Sequence, residues 1–231
     1  MFLTNLLQIT VTQPQGNEPV EQTEQTLSAL DLAFQGGWIM AILALLFVVA
    51  IYLFFERFMA LKNASKVDTN FMNRIKDYIH EGKIESATSL CQSTSNPIAQ
   101  MIEKGISRLG RPLNDINTTI ENVGNLEIAK LEKGLPTLAT ISGGAPMIGF
   151  LGTVIGMIRA FYDMSQAGNN IDVSLLSGGI YTAMVTTVGG LIVGIMAYFA
   201  YNYLVARVEK VVHKMEASTT EFMDLLNEPV S

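Results

Sequence analysis

WIMAILALLFVVAIYLFF, residues 38–55, decides the fold. It holds no charge, no Pro and no Gly. About 20 such residues in a helix cross a hydrocarbon core of about 30 Å. Gly36, Gly37 and the aliphatic stem of Arg57 supply the rest of the length. Two further apolar regions follow. One runs from Leu135 to Tyr162 with Arg159 as its only charge, and the other from Ser174 to Leu204 with none. The chain as a whole is 49% hydrophobic and 16% charged, against about 25% charged in soluble domains. The three stretches account for the deficit. The sequence predicts an all-α membrane protein with three transmembrane helices, the second and third extended into a cytoplasmic helical bundle.

The placement of Lys and Arg orients the spans. Residues 1–37 and 163–173 contain none, residues 56–134 contain eleven, and the tail after 206 contains three. So 14 of the 15 positive residues fall on one side, which the positive-inside rule makes cytoplasmic. The N-terminus is then outside and the C-terminus inside. Phe2–Ile9 lacks a basic start and is broken by Thr4, Asn5 and Gln8, so it does not read as a cleaved signal peptide. A single cysteine, Cys91, excludes an internal disulfide and reads as a packed apolar-face residue.

The expected order is a periplasmic segment (1–36) with a short amphipathic helix over 26–34, a first span (37–56), a cytoplasmic helical region (57–134), a second span (135–162), a periplasmic loop (163–173), a third span (174–205) and a cytoplasmic tail (206–231). Within 57–134, apolar stripes at helical spacing predict four helices. The first carries Phe71, Ile75, Tyr78 and Ile79, with Asp68 or Thr69 as cap and an end near Gly82. The second carries Ile84, Ala87, Thr88 and Cys91. The third carries Ile98, Met101, Ile102, Ile106 and Leu109, between Asn96-Pro97 and Gly110. The fourth starts at Asn114 or Asp115. It carries Ile116, Ile120, Val123, Glu127 and Leu131, and no turn cluster separates it from the second span. One continuous helix over 114–162 is expected, although Gly134 and Pro136 can kink it.

The second span sets Ala145, Gly149, Gly152 and Gly156 at small-residue spacing around Pro146. The third sets Thr182, Thr186, Gly190 and Gly194 four apart. Such stripes let helix backbones approach closely, and tight packing is their commonest meaning. The functional alternative is a face that lines a polar path. A charge-free span cannot carry an ion by titration, so its hydroxyls can only orient water or meet an ionisable group from elsewhere. Arg159 can pair with Asp163 one turn on, or snorkel. His80 and His213 have no ligand-spaced partner and read as solvated, so no metal site is expected. Without a phosphate-binding loop, HExxH or a triad, the chain reads as neither an enzyme nor a nucleotide-consuming or nucleic-acid-binding protein, and no cofactor is implied.

APMIGFLGTVIGM (145–157), ERFMAL (56–61) and GIYTAMVTTVGGL (179–191) resemble the MotA/TolQ/ExbB family of proton-channel subunits, over about residues 36–208. The likeness is to ExbB first and TolQ next, since MotA members have four spans. The resemblance implies a bacterial inner-membrane ring, typically a pentamer, around a single-span ExbD- or TolR-like partner whose intramembrane aspartate carries the proton. Motion then passes to a TonB- or TolA-like protein, in the Ton case to energise an outer-membrane process. Other motors of this kind serve gliding or secretion, and a purely structural scaffold is the competing class. The family's threonines match Thr153 and Thr187, with Thr186 beside them. Its third-span glutamate is replaced by Thr182, which moves the proton-carrying role onto the partner. Hydroxyl and carbonyl oxygens would also suit Na⁺.

Overall fold

The structure is a computed structural model of the chain and describes residues 36–65, 70–166 and 173–227. The amphipathic helix expected over 26–34 and the caps expected at Asp68 and Thr69 lie outside these residues, as do 167–172 of the expected loop. Among the described residues the ordered elements are all helices: α1 Gly37–Ala64, α2 Phe71–His80, α3 Ile84–Ser93, α4 Pro97–Ile106, α5 Leu113–Glu132, α6 Leu135–Gln166 and α7 Val173–Asn227. Among the described residues, three stretches are long and apolar enough to cross a membrane: Gly37–Ala64, Leu113–Gln166 and Leu176–Asn227. The second helix runs four residues past the expected Tyr162.

The continuous helix expected over 114–162 is corrected. α5 ends at Glu132 and α6 begins at Leu135. Between them Lys133 has φ −52° and ψ 129°, and Gly134 has φ +84°. Those are the central dihedrals of a type II turn, whose second position calls for glycine. Pro136 reinforces the break. It has no N–H to give the Glu132 carbonyl, and its ring would crowd that carbonyl in a continuous helix.

The chain divides into two compact units. The first is built from residues of 1–49 and 140–197, the second from residues of 50–139 and 198–231.

In the second unit, Asn96 is extended (φ −142°, ψ 141°) and its side-chain oxygen accepts from the Ile98 N–H at 2.9 Å. Pro97 opens α4 where its missing N–H is no loss. α4 then buries Ile98, Ala99, Met101, Ile102, Gly105 and Ile106. A Cβ on Gly105 would lie 2.7 Å from the Phe222 ring and 2.8 Å from Ile120, so α4, α5 and α7 meet there with no space to spare. Along α7, Leu204, Val208, Val211, Met215, Phe222 and Leu225 are buried. The seam steps by four and three, as in a heptad. Phe54 and Phe58 of α1 lie 6.3 and 6.2 Å from the Tyr203 ring, and the Arg207 guanidinium sits 5.3 Å from that ring's centre. Cys91 is buried, and burial pushes its thiol up to about 12. His80 and His213 are exposed.

In the first unit α6 packs on α7, and α1 adds a narrower contact. Ile39 and Leu43 of α1 are buried, and a Cβ on Gly189 would lie 2.9 Å from the Met40 sulfur. The opposite face, with Trp38, Leu45 and Val48, is exposed. Arg159 and Asp163 are both exposed, and no ion pair joins them among the described residues.

Candidate functional site: a hydroxyl cluster between two glycine-faced helices

α6 and α7 approach so closely that several glycines between them have no room for even a methyl group. A Cβ on Gly190 would lie 2.6 Å from the Ala145 carbonyl oxygen and 2.9 Å from the Gly149 Cα. One on Gly149 would lie 2.8 Å from the Thr186 carbonyl oxygen. Gly156 faces Ala183, Gly179 faces Ala160, and Gly194 faces Pro146 and the Ser142 carbonyl. As residue numbers rise on one helix they fall on the other, so the two helices run antiparallel. These contacts are with backbone or with atoms next to it. This is the small-residue interface that membrane helices use where the hydrophobic effect no longer draws them together.

The seam is not the straight four-residue stripe read from the sequence. A spacing of four advances 400° around a helix, so each step drifts about 40°. The contacting residues mix steps of three and four instead. They are Ala145, Gly149, Gly152, Gly156 and Ala160 on α6, against Gly179, Ala183, Thr186, Gly190 and Gly194 on α7. Thr182 falls to one side. It is half-buried and makes no hydrogen bond among the described residues. The sequence marks Gly179 only as a further small residue, and it does not mark Ala160 and Ala183. The signal that finds them is the mixed three-and-four spacing. Gly143, Gly144 and Gly178 have open space where a Cβ would stand.

At the middle of the seam three threonine hydroxyls surround two carbonyl oxygens. Thr186 is enclosed, 1% exposed, and its hydroxyl donates to Ala183 O at 2.7 Å, with Gly149 O at 3.3 Å. Thr153 and Thr187 are half-buried and bonded hydroxyl to hydroxyl across the seam. Thr153 also reaches Ala183 O at 3.2 Å and Gly149 O at 3.4 Å, and Thr187 reaches Gly149 O at 3.3 Å. Each hydroxyl carries one proton, so the three cannot make all these bonds at once. The cluster has alternative hydrogen-bond arrangements, and it opens to the surface of the helix pair through Thr153 and Thr187. Among the expected path residues the structure thus brings Thr153, Thr186 and Thr187 together and leaves Thr182 apart. The packing residues Ala145, Pro146, Gly149, Gly152, Gly156, Gly190 and Gly194 all lie in the seam.

The sequence model of the MotA/TolQ/ExbB proton channel family matches residues 93–217, which include α6, most of α7 and the whole cluster. A protein named as an ExbB homolog in Methanothermobacter thermautotrophicus is 28% identical over 82% of this chain and 67% of its own length. The Tol-Pal system protein TolQ of Pseudomonas aeruginosa is 27% identical over 76% of this chain and 80% of its own. The biopolymer transport protein ExbB of Neisseria gonorrhoeae is 36% identical over a shorter region, 40% of this chain and 42% of its own. With more than half its length matched, and three helices able to span a bilayer, this chain is a membrane protein that belongs to the MotA/TolQ/ExbB proton channel family.

Proposed function

We propose that the chain is an ExbB-like subunit of an inner-membrane motor that couples the proton motive force to a TonB-dependent outer-membrane process. Its N-terminus is periplasmic, its C-terminus cytoplasmic, and most of residues 57–134 cytoplasmic. Several copies, a pentamer by family analogy, surround a single-span ExbD-like partner that carries the proton on an intramembrane aspartate. A TonB-like protein receives the motion. One observation carries this reading: a cluster of hydroxyls with interchangeable hydrogen bonds, set in a charge-free part of the spans and open on one side through Thr153 and Thr187. Such a cluster can solvate a charge brought to it and cannot hold one of its own. Thr182, to one side of the seam, would only flank this path.

The test replaces Thr153 or Thr187 with Val, which keeps the shape and removes the hydroxyl. Uptake or other proton-driven work by the assembled complex should fall at least tenfold in each, with native mass spectrometry showing assembly unchanged. Full activity in both variants would reject the hydroxyl path. A TolQ-like role is the second reading, supported by the TolQ relative that matches 76% of the chain. The partner proteins recovered with the chain separate the two. A change of driving ion from H⁺ to Na⁺ in proteoliposomes tests the ion.

A further inference from the structure

The break between α5 and α6 is held by a residue that the ion path does not use. When α5 stops at Glu132, the carbonyls of its last turn lose their helical partners. Lys133, at ψ 129°, turns the Lys133–Gly134 peptide so that the Gly134 N–H points away from the Lys130 carbonyl that it would bond in a continuous helix, and Gly134 at φ +84° accommodates the turn. Arg57 of α1 takes that carbonyl instead, with Nη1 donating to Lys130 O at 3.2 Å. Its Nη2 is bonded to Glu56. The stem of Arg57 runs along the turn, 3.8–3.9 Å from where a Gly134 Cβ would stand. Arg57 is 8% exposed, and its buried Nε has no hydrogen-bond partner. A buried cation bonded on two of three nitrogens is an unusual thing to keep in a fold.

We propose that Arg57 is a positioning residue, a latch on a two-state joint at Lys133–Gly134. One acceptor, Lys130 O, is contested by two donors. In the observed bent state Arg57 holds it. In the other state Lys133 and Gly134 both turn to the right-handed helical region, the Gly134 N–H takes Lys130 O, and α5 joins α6 as one helix kinked at Pro136. Arg57 is then released to satisfy its Nε elsewhere. Each state leaves something unmet: the bent one strands Nε, and the joined one strands the Glu132 carbonyl opposite Pro136. That balance lets a modest force choose between them. The joint connects the apolar span to the charged helices, whatever ion the span serves.

Spin labels at Asn122 and Thr137, both exposed and on either side of the break, read the joint by double electron–electron resonance in the full-length protein. Cys91 is first replaced by Ala. The parent should give one main distance. Arg57→Met should add a second, longer distance, and Arg57→Lys, which can still donate to the carbonyl, should largely restore the first. Gly134→Ala is the independent arm. Its methyl meets nothing closer than 3.5 Å, so only the positive φ opposes it, and it acts with Arg57 intact. It should populate the same longer distance, and the double variant should populate it further. An unchanged distance in Gly134→Ala overturns the joint. A third, broad distance in Arg57→Met without recovery in Arg57→Lys shows a purely structural arginine and overturns the latch.

Discussion

The two ends of α7 pack by opposite means. From Gly179 to Gly194 the helix meets its neighbour with glycine, alanine and threonine, backbone against backbone. From Leu204 to Leu225 it buries Leu, Val, Met and Phe at heptad spacing. The outer faces differ to match. The first half exposes Met184, Val188, Leu191 and Ile195, whereas the second exposes Glu209, Lys210, Lys214 and Glu216. A charged exterior belongs in water, where removing large side chains from solvent drives association. An apolar exterior belongs in lipid, where it does not, and only close contact and hydrogen bonds remain. One helix thus carries two solutions to one problem, each fitted to its solvent.

The comparison breaks most easily at Phe222. It is fully buried beside Gly105, and truncation to Ala should destabilise the second unit by about 3–5 kcal/mol. Denaturant unfolding followed by circular dichroism would show it, and an unchanged midpoint would mean that the heptad seam is not a core. At the other end the rule reverses, and adding atoms is the damage. Gly190→Ala drives a methyl onto the Ala145 carbonyl and Gly149 backbone, for about 1–3 kcal/mol of overpacking. Gly143→Ala, with nothing within 4 Å, should be close to neutral. Thermal stability of the three proteins in one detergent ranks them. Equal loss in Gly143→Ala and Gly190→Ala would remove the case for a specific seam.

Much of this was legible in the residues. The 18 uncharged residues from Trp38 to Phe55 left one reading, and Asn96-Pro97 marked the start of α4 because cap chemistry is local, although the helix ends at Ile106 and not at Gly110. What failed was whatever depends on a neighbour. Gly134 and Pro136 were visible, but whether they kink or break the helix turns on the Lys130 carbonyl, to which Arg57 donates from 73 residues away. Thr182 looked equivalent to Thr186 because a spacing of four imitates a face over one turn and leaves it over three. Arg57 looked like a snorkelling end of a span, and its cap on Lys130 has no local signal.

The local cap gives the next smaller effect. Asn96→Ala removes the acceptor for the Ile98 N–H and should lose about 1 kcal/mol, whereas Asn96→Asp should keep most of it. Equal losses in the two variants, measured by denaturant unfolding, would assign the effect to the neighbouring proline and not to the cap.

The smallest effect on stability bears most on function. Thr186→Val keeps the enclosed side chain's shape and removes a hydroxyl bonded to Ala183 O within its own helix, so the loss should be near the roughly 0.6 kcal/mol typical of hydrogen bonds inside membranes. Thr187→Val should lose a similar amount, because its hydroxyl bond to Thr153 also lies within the helix pair. The two differ in exposure: Thr186 is enclosed, whereas Thr187 reaches the surface of the pair. If the cluster only holds the helices together, both variants should work nearly as well as the parent, in proportion to their small losses of stability. If it solvates a charge arriving from outside, Thr187→Val should abolish proton-driven work while Thr186→Val keeps at least part of it. Equal activities at equal stabilities would return the cluster to packing, and a gap of tenfold or more would place the path on its open side.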